Sequence, residues 1–330
     1  MNPDCVIQES HVDSFECLTV ESEHLRVVLL PELGSKMIEL RSKKSGRQFL
    51  LEPQTIGRSY RRPSYGDDFA AYDTSGLDEC FPNMAASFFP DHGELWSRAW
   101  DWKRDNKGLL FSIEGVRAHY RFEKRLRVEG NKVRLNYRVH NLSSESMHFL
   151  WSAHPLLNVR AGTKLLLPCH VNQVRIDWTS DPGIGKHLDI LPWPSLSLSN
   201  GVIDYSVVQE KDLCQALKGY TGAMTEGWAA AYFADTDESF VLEFDTRENP
   251  YLGIWLSYGG WPSGGNNGHL TVALEPCSGR SDSLEEARQR GECGFIEAAG
   301  VKEWSLTLSV VQGFPKGRSP FPGATNIVTT

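Results

Sequence analysis

Three short segments combine an ionisable side chain with a residue that interrupts backbone pairing. They are Pro90-Asp91-His92-Gly93-Glu94-Leu95-Trp96-Ser97-Arg98, Trp151-Ser152-Ala153-His154-Pro155-Leu156 and Leu274-Glu275-Pro276-Cys277-Ser278-Gly279. In the last two, the proline directly after the ionisable residue has no N–H to give. It is expected to end strand pairing there, placing His154 and Glu275 at sheet margins where side chains can line a cleft. Imidazole and carboxylate are the groups that move protons near neutral pH, so the chemistry these segments suggest is general acid–base catalysis. Taken singly, a histidine or glutamate at a strand end is usually solvated or bonded to a loop.

Other chemistries lack their signatures. The sequence has no P-loop, no GxGxxG after a strand, no HExxH and no GxSxG. Gly183-Ile184-Gly185-Lys186 lacks the upstream glycine and the following Ser or Thr of a phosphate-binding loop. No local spacing of histidines or cysteines supports a metal site. The reading is therefore of side-chain chemistry with no metal and no cofactor.

Composition narrows the partners. Of 330 residues, 42 are Asp or Glu and 34 are Lys or Arg, for a formal charge of −8. Nucleic acid and anionic membrane surfaces call for the opposite balance. No apolar run approaches the ~20 residues of a membrane span, and Met1-Asn2-Pro3-Asp4-Cys5 does not open a signal peptide. A soluble, cytoplasmic protein with reduced cysteines is expected; nothing in the sequence speaks to its oligomeric state.

The elements that would position these residues are strands. Between Tyr120 and Val139 apolar and charged residues alternate around the turn Glu129-Gly130-Asn131-Lys132, predicting a long hairpin with one solvated, arginine-rich face. Further strands are predicted at 17–20, 25–30, 37–40, 48–51, 109–113, 149–153, 163–167, 229–233, 240–244, 253–257, 271–275 and 304–311. A single helix is predicted at 284–290, with Ser283 and Glu286 as a capping box and Gly291 as its stop. Many short strands bounded by turns predict an all-β, large antiparallel sandwich with few short helices. With no low-complexity linker, residues 1–330 are expected to form one domain with an irregular tail from about 314.

In this setting the segments resemble the aldose 1-epimerase (galactose mutarotase-like) superfamily. The elements that carry the resemblance occur in family order from about Leu30 to Val311. They are Leu30-Pro31-Glu32-Leu33-Gly34, Gly76-Leu77-Asp78-Glu79-Cys80-Phe81-Pro82-Asn83, His92-Gly93, Ser152-Ala153-His154-Pro155, Leu252 through Trp261, and Glu275-Pro276 with Ser283-Leu284-Glu285-Glu286-Ala287. The resemblance implies a supersandwich with a sugar-binding cleft on one sheet, and an enzyme that interconverts the α and β anomers of an aldose. On matching positions Glu275 is similar to the general base that takes the O1 proton. His154 is similar to the general acid at the ring oxygen, and His92 to the second, polarising histidine. Mutual proximity would raise the pKa of His154 and lower that of Glu275.

Around these, Arg98 could pair with vicinal sugar hydroxyls or with a surface carboxylate. Asp78 and Glu79 match a pocket-forming segment and equally fit turn chemistry. Trp261 could stack on a pyranose face, whereas Trp255, inside a strand, reads as core. Residues 263–268 read as a hairpin loop able to act as a lid. The substrate-binding Asp that galactose-type members place between the second histidine and the Glu has no clear counterpart; Asp204 and Asp245 are the candidates. Arg58, Arg61 and Arg62 could hold a sugar phosphate, leaving a hexose-6-phosphate mutarotase, or a binding protein on the same fold, as alternatives.

Overall fold

Alternation with period two puts every second side chain of a strand on one face of its sheet. The chain uses this to build two sheets with a shared apolar filling. The computed structural model describes residues 6–54, 59–72, 74–198, 201–262 and 268–315. Tyr120–Glu129 and Lys132–Asn141 form the expected hairpin, with Tyr120, Phe122, Leu126, Val133, Leu135 and Val139 buried and the arginines between them facing outward. The outward arginines meet carboxylates, as Arg121 does Glu114 and Arg125 does Asp105.

This hairpin lies in an eight-stranded antiparallel sheet, with Val301–Gln312, Glu238–Phe244 and Trp228–Phe233 on one side and Gly108–Glu114 and Asp101–Asp105 on the other. The second sheet has eleven strands. Its middle runs Leu77–Cys80, Ser152–Leu157, Leu270–Cys277, Tyr251–Tyr258, Gln215–Thr221, Gln173–Thr179. Leu77, Ala153, Leu252, Ile254 and Leu274 from this sheet pack with Phe111, Phe122, Leu135, Leu242 and Leu306 from the other in one apolar cluster. The architecture is thus the all-β antiparallel sandwich expected. The helix Leu284–Arg290 is also where expected: Ser283 Oγ accepts the Glu286 amide and Gly291 closes it at φ +68°. The Glu286 carboxylate completes no box, and instead binds Arg290 and His187.

Several strand expectations need correction. Residues 48–51 form isolated bridges rather than a strand. The 149–153 run divides into Met147–Phe149 and Ser152–Leu157. Pro155 and Pro276 do not end their strands but lie inside them, in the middle of the larger sheet. Between these neighbouring strands the pairs Ser152↔Cys277 and Leu156↔Ala273 are in register, so His154 and Glu275 face each other midway between them. Each proline removes a ladder N–H just there. The two prolines relax the pairing at this point while the strands continue, and His154 and Glu275 are central rather than marginal.

Charge also enters the filling between the sheets. Lys124 sits on the apolar face of its strand, its Nζ donating to the Ser35 carbonyl at 2.7 Å and lying 3.4 Å from Glu79 Oε1. Glu79 also accepts from Tyr137 and Trp151. Burial raises the Glu79 pKa and lowers that of Lys124, each opposed by the charge of the other. Lys124→Met strands a buried carboxylate, and a loss of about 3–5 kcal/mol is expected in urea denaturation. Adding Glu79→Gln in the same background should return most of it.

Candidate active site

One row crosses the larger sheet on the face turned away from the apolar filling. Through successive antiparallel pairs it runs Asp78, His154, Glu275, Gly253, Tyr220, Arg175. Residues two positions along the same strands share that face, so Ser152, Leu156, Lys218 and Trp255 surround the row. His92, Phe69 and Asp282 come in from loops and a single 3-10 turn to make walls. Together they enclose a cleft of about 210 Å³, lined among others by Phe69, His92, His154, Lys218, Trp255, Trp261 and Asp282.

Glu275 has no exposed surface. Its Oε2 accepts from Lys218 Nζ at 2.6 Å and from Ser152 Oγ at 3.2 Å. Its Oε1 has no hydrogen-bond partner and lies 3.8 Å from His154 Nε2. Lys218 belongs to Gln215–Thr221, two strands away, and reaches Glu275 across Gly253 of the strand between. A Cβ at Gly253 would stand 3.2 Å from Glu275 Cβ and 3.3 Å from Oε2. Burial works against the charge of Lys218, but the carboxylates of Glu275 and Asp282 outweigh it and raise the lysine pKa. Asp282 lies 4.0 Å from Lys218 Nζ and accepts the Tyr220 hydroxyl.

His154 is 6% exposed, and its Nδ1 has no partner. Burial is the main reason its pKa lies well below 6.5, with the positive charges of His92, Lys218 and Lys36 acting in the same direction. This reverses the expectation that Glu275 would raise it: desolvation comes first, and the neighbouring positive charges add to it. His92 adopts φ +55° and stacks on Phe69 with ring centroids 4.1 Å apart. Its Nδ1 lies 3.0 Å from Asp91 Oδ1 and its ring 5.5 Å from that of His154. Opposite the histidines stands an indole wall, in which Trp255 lies 6.0 Å from Trp178 and 5.5 Å from Trp261.

The structure therefore brings together His92, His154, Glu275 and Trp261 and disperses the other candidates. Trp255, expected in the core, lines the cleft because it shares a face with Gly253. Asp78 and Glu79 cannot both line it, being adjacent on one strand. Asp78 pairs with Lys36 at 2.8 Å, and Glu79 points into the sandwich filling. Arg98 donates to the Glu114 carbonyl, away from the cleft. Asp204 serves a turn through Ser206, and Asp245 pairs with Arg247. Arg61 lies over Tyr72, and Arg62 pairs with Glu32. Arg58 and residues 263–267 lie outside the described residues. Lys218, Asp282 and Trp178 were missed; Lys218-Gly219 breaks the apolar alternation that would have marked Gln215–Thr221 as a strand. The described residues include no cluster of His, Cys, Asp or Glu suited to a metal ion, and no helix long and apolar enough to cross a membrane.

No protein-family model and no curated protein matches the sequence. Solved structures do. A galactose mutarotase-like protein from Clostridium acetobutylicum superposes with TM-score 0.66 at 16% identity, over 94% of this chain and 100% of that one. A galactose mutarotase-like protein from Lactobacillus casei gives 0.63 at 16%, over 89% and 100%. A galactose mutarotase related enzyme from Lactobacillus acidophilus gives 0.63 at 14%, over 89% and 97%. The chain has the galactose mutarotase-like fold.

Behind Lys218, the Asp177 carboxyl is pushed up to about 6 by burial and by the charge of Asp282. Its folded pKa lies above its unfolded value of about 3.9. The stability it lends is complete below about 3.9 and is lost as pH rises through about 6. Asp177→Asn, which still accepts from Ser281, should raise the melting temperature at pH 8 and leave it near wild type at pH 4.

Proposed function

We propose that the cleft is the active site of an aldose mutarotase. The observation that carries the reading is the approach of Glu275 Oε1, which has no hydrogen-bond partner, to 3.8 Å from Nε2 of His154, which lines the indole-walled cleft. The resemblance in sequence and the mutarotase-like fold support it. Pure binding of a sugar gives no reason to bury an uncommitted carboxylate oxygen against an imidazole.

The steps follow from the groups present. An aldopyranose lies with an apolar face on Trp255 and Trp261 and its anomeric edge towards the two side chains. The Glu275 carboxylate takes the O1 proton. The electrons of the O1–H bond form the carbonyl, the C1–O5 bond breaks towards O5, and the His154 imidazolium protonates that oxygen. His92 donates to the ring oxygen or its neighbour. Rotation about C1–C2 presents the other carbonyl face, and the reverse transfers close the other anomer. No electrons are gained or lost and no covalent intermediate forms.

A depressed His154 makes a strong acid when charged, but at pH 7 it is mostly neutral. The reactive form pairs imidazolium with carboxylate, so its population grows as pH falls towards the His154 pKa. The rate should follow a bell whose basic limb lies below pH 6.5. Lys218 is engaged by Glu275, and no arginine is among the described residues lining the cleft. A neutral aldose therefore suits it better than a sugar phosphate.

Anomer-exchange NMR over free and 6-phosphorylated hexoses tests the reading. Saturable acceleration of a free hexose is expected. Glu275→Gln and His154→Asn should each lower it by about 10²–10⁴. Saturable binding without exchange would make the protein a sugar-binding module, and a requirement for the phosphate would move it to the phosphorylated substrates.

A further inference from the structure

Lys218 contributes a charge to the floor of the cleft that the acid–base pair does not itself require. Its Nζ reaches Glu275 Oε2 at 2.6 Å, a short, charge-assisted contact between two buried side chains. It occupies one carboxylate oxygen and leaves the other turned towards His154. We infer that Lys218 is a positioning residue, which holds Glu275 by Oε2 with Oε1 left free towards His154 and sets the pH at which the His154 imidazole takes up its proton. The inference rests on the mutarotase reading of the cleft and deepens it.

The geometry makes the charge, as well as the contact, matter. Lys218 is faced by Glu275 and Cys277 from the strand Leu270–Cys277, by Asp282 from the loop beyond it, and by Tyr220 on its own strand. Glu275 is faced by Ser152 and His154, and by the Cys80 thiol from Leu77–Cys80. Asp177 lies behind Lys218, while His92 and Lys36 act on His154 from the other side. Both Cys80 and Cys277 are held as neutral thiols by burial. With the ammonium gone, Glu275 loses its nearest countercharge, and His154 loses one of the positive charges that oppose its own, so the imidazole would take up a proton more readily.

The test compares Lys218→Gln and Lys218→Met, which remove the charge with and without a hydrogen-bond donor, against Lys218→Arg, which keeps both. Two quantities are read: the pH profile of anomer exchange on a free hexose, and the NMR titration of the His154 imidazole in the sugar-free protein. In the neutral variants the basic limb of the profile and the His154 titration should both move to higher pH, by about one unit or more. The arginine variant should keep both near wild type. A folded neutral variant that loses rate while its basic limb and its His154 titration stay in place would overturn the inference and leave Lys218 a structural residue. If the wild type exchanges no sugar, the mutarotase reading falls, and the His154 titration alone decides the role of Lys218.

Discussion

A carboxylate removed wholly from water is costly unless its charge is met at close range. Glu275 is such a group, and Lys218 meets it at 2.6 Å. Much of the surrounding architecture follows from that contact. The two residues stand on strands that are not neighbours, so the strand between them must offer a position without a side chain. The lysine needs anions of its own, which Asp282 supplies with Tyr220 bonded to it. His154 must approach the same carboxylate from the other side, and the prolines at 155 and 276 loosen the strand pairing at that point without ending it.

The same sheet serves two solvents. Its inner face is apolar and closes on the eight-stranded sheet; its outer face carries the row from Asp78 to Arg175. Antiparallel strands permit this because alternate residues answer to different surroundings. The division is not complete, since Lys124 and Glu79 carry a charged pair into the apolar layer. Tyr137 from the eight-stranded sheet and Trp151, just ahead of Ser152–Leu157, both donate to Glu79 on the larger sheet, so that pair also joins the two layers.

The sequence made the sandwich legible wherever alternation was strong, as in the Tyr120–Asn141 hairpin. It also made legible the residues beside distinctive punctuation: His92 before a glycine, His154 and Glu275 before prolines. It misled where one rule had two outcomes. A proline after an ionisable residue can end a strand or merely interrupt its ladder, and only the register with a partner strand decides between them. Adjacent Asp78 and Glu79 looked like one feature, although alternation sends them to opposite faces. Lys218 was hidden because its function depends on a partner 57 positions away in the chain, and its own segment carries a glycine and a charge where a strand would show apolar repeats. The direction of the His154 titration was equally beyond reach, because desolvation and the neighbouring cations exist only once the strands are assembled.

Gly253 gives this arrangement a genetic consequence. Every replacement brings at least a Cβ, and that atom falls within 3.3 Å of the Glu275 carboxylate oxygen. Codon changes at 253 are thereby coupled to a residue that they leave untouched, and drift elsewhere in the strand cannot substitute for the missing atom. Among divergent descendants of this chain, a side chain at 253 would mark lineages in which the carboxylate beside it has shifted to make room.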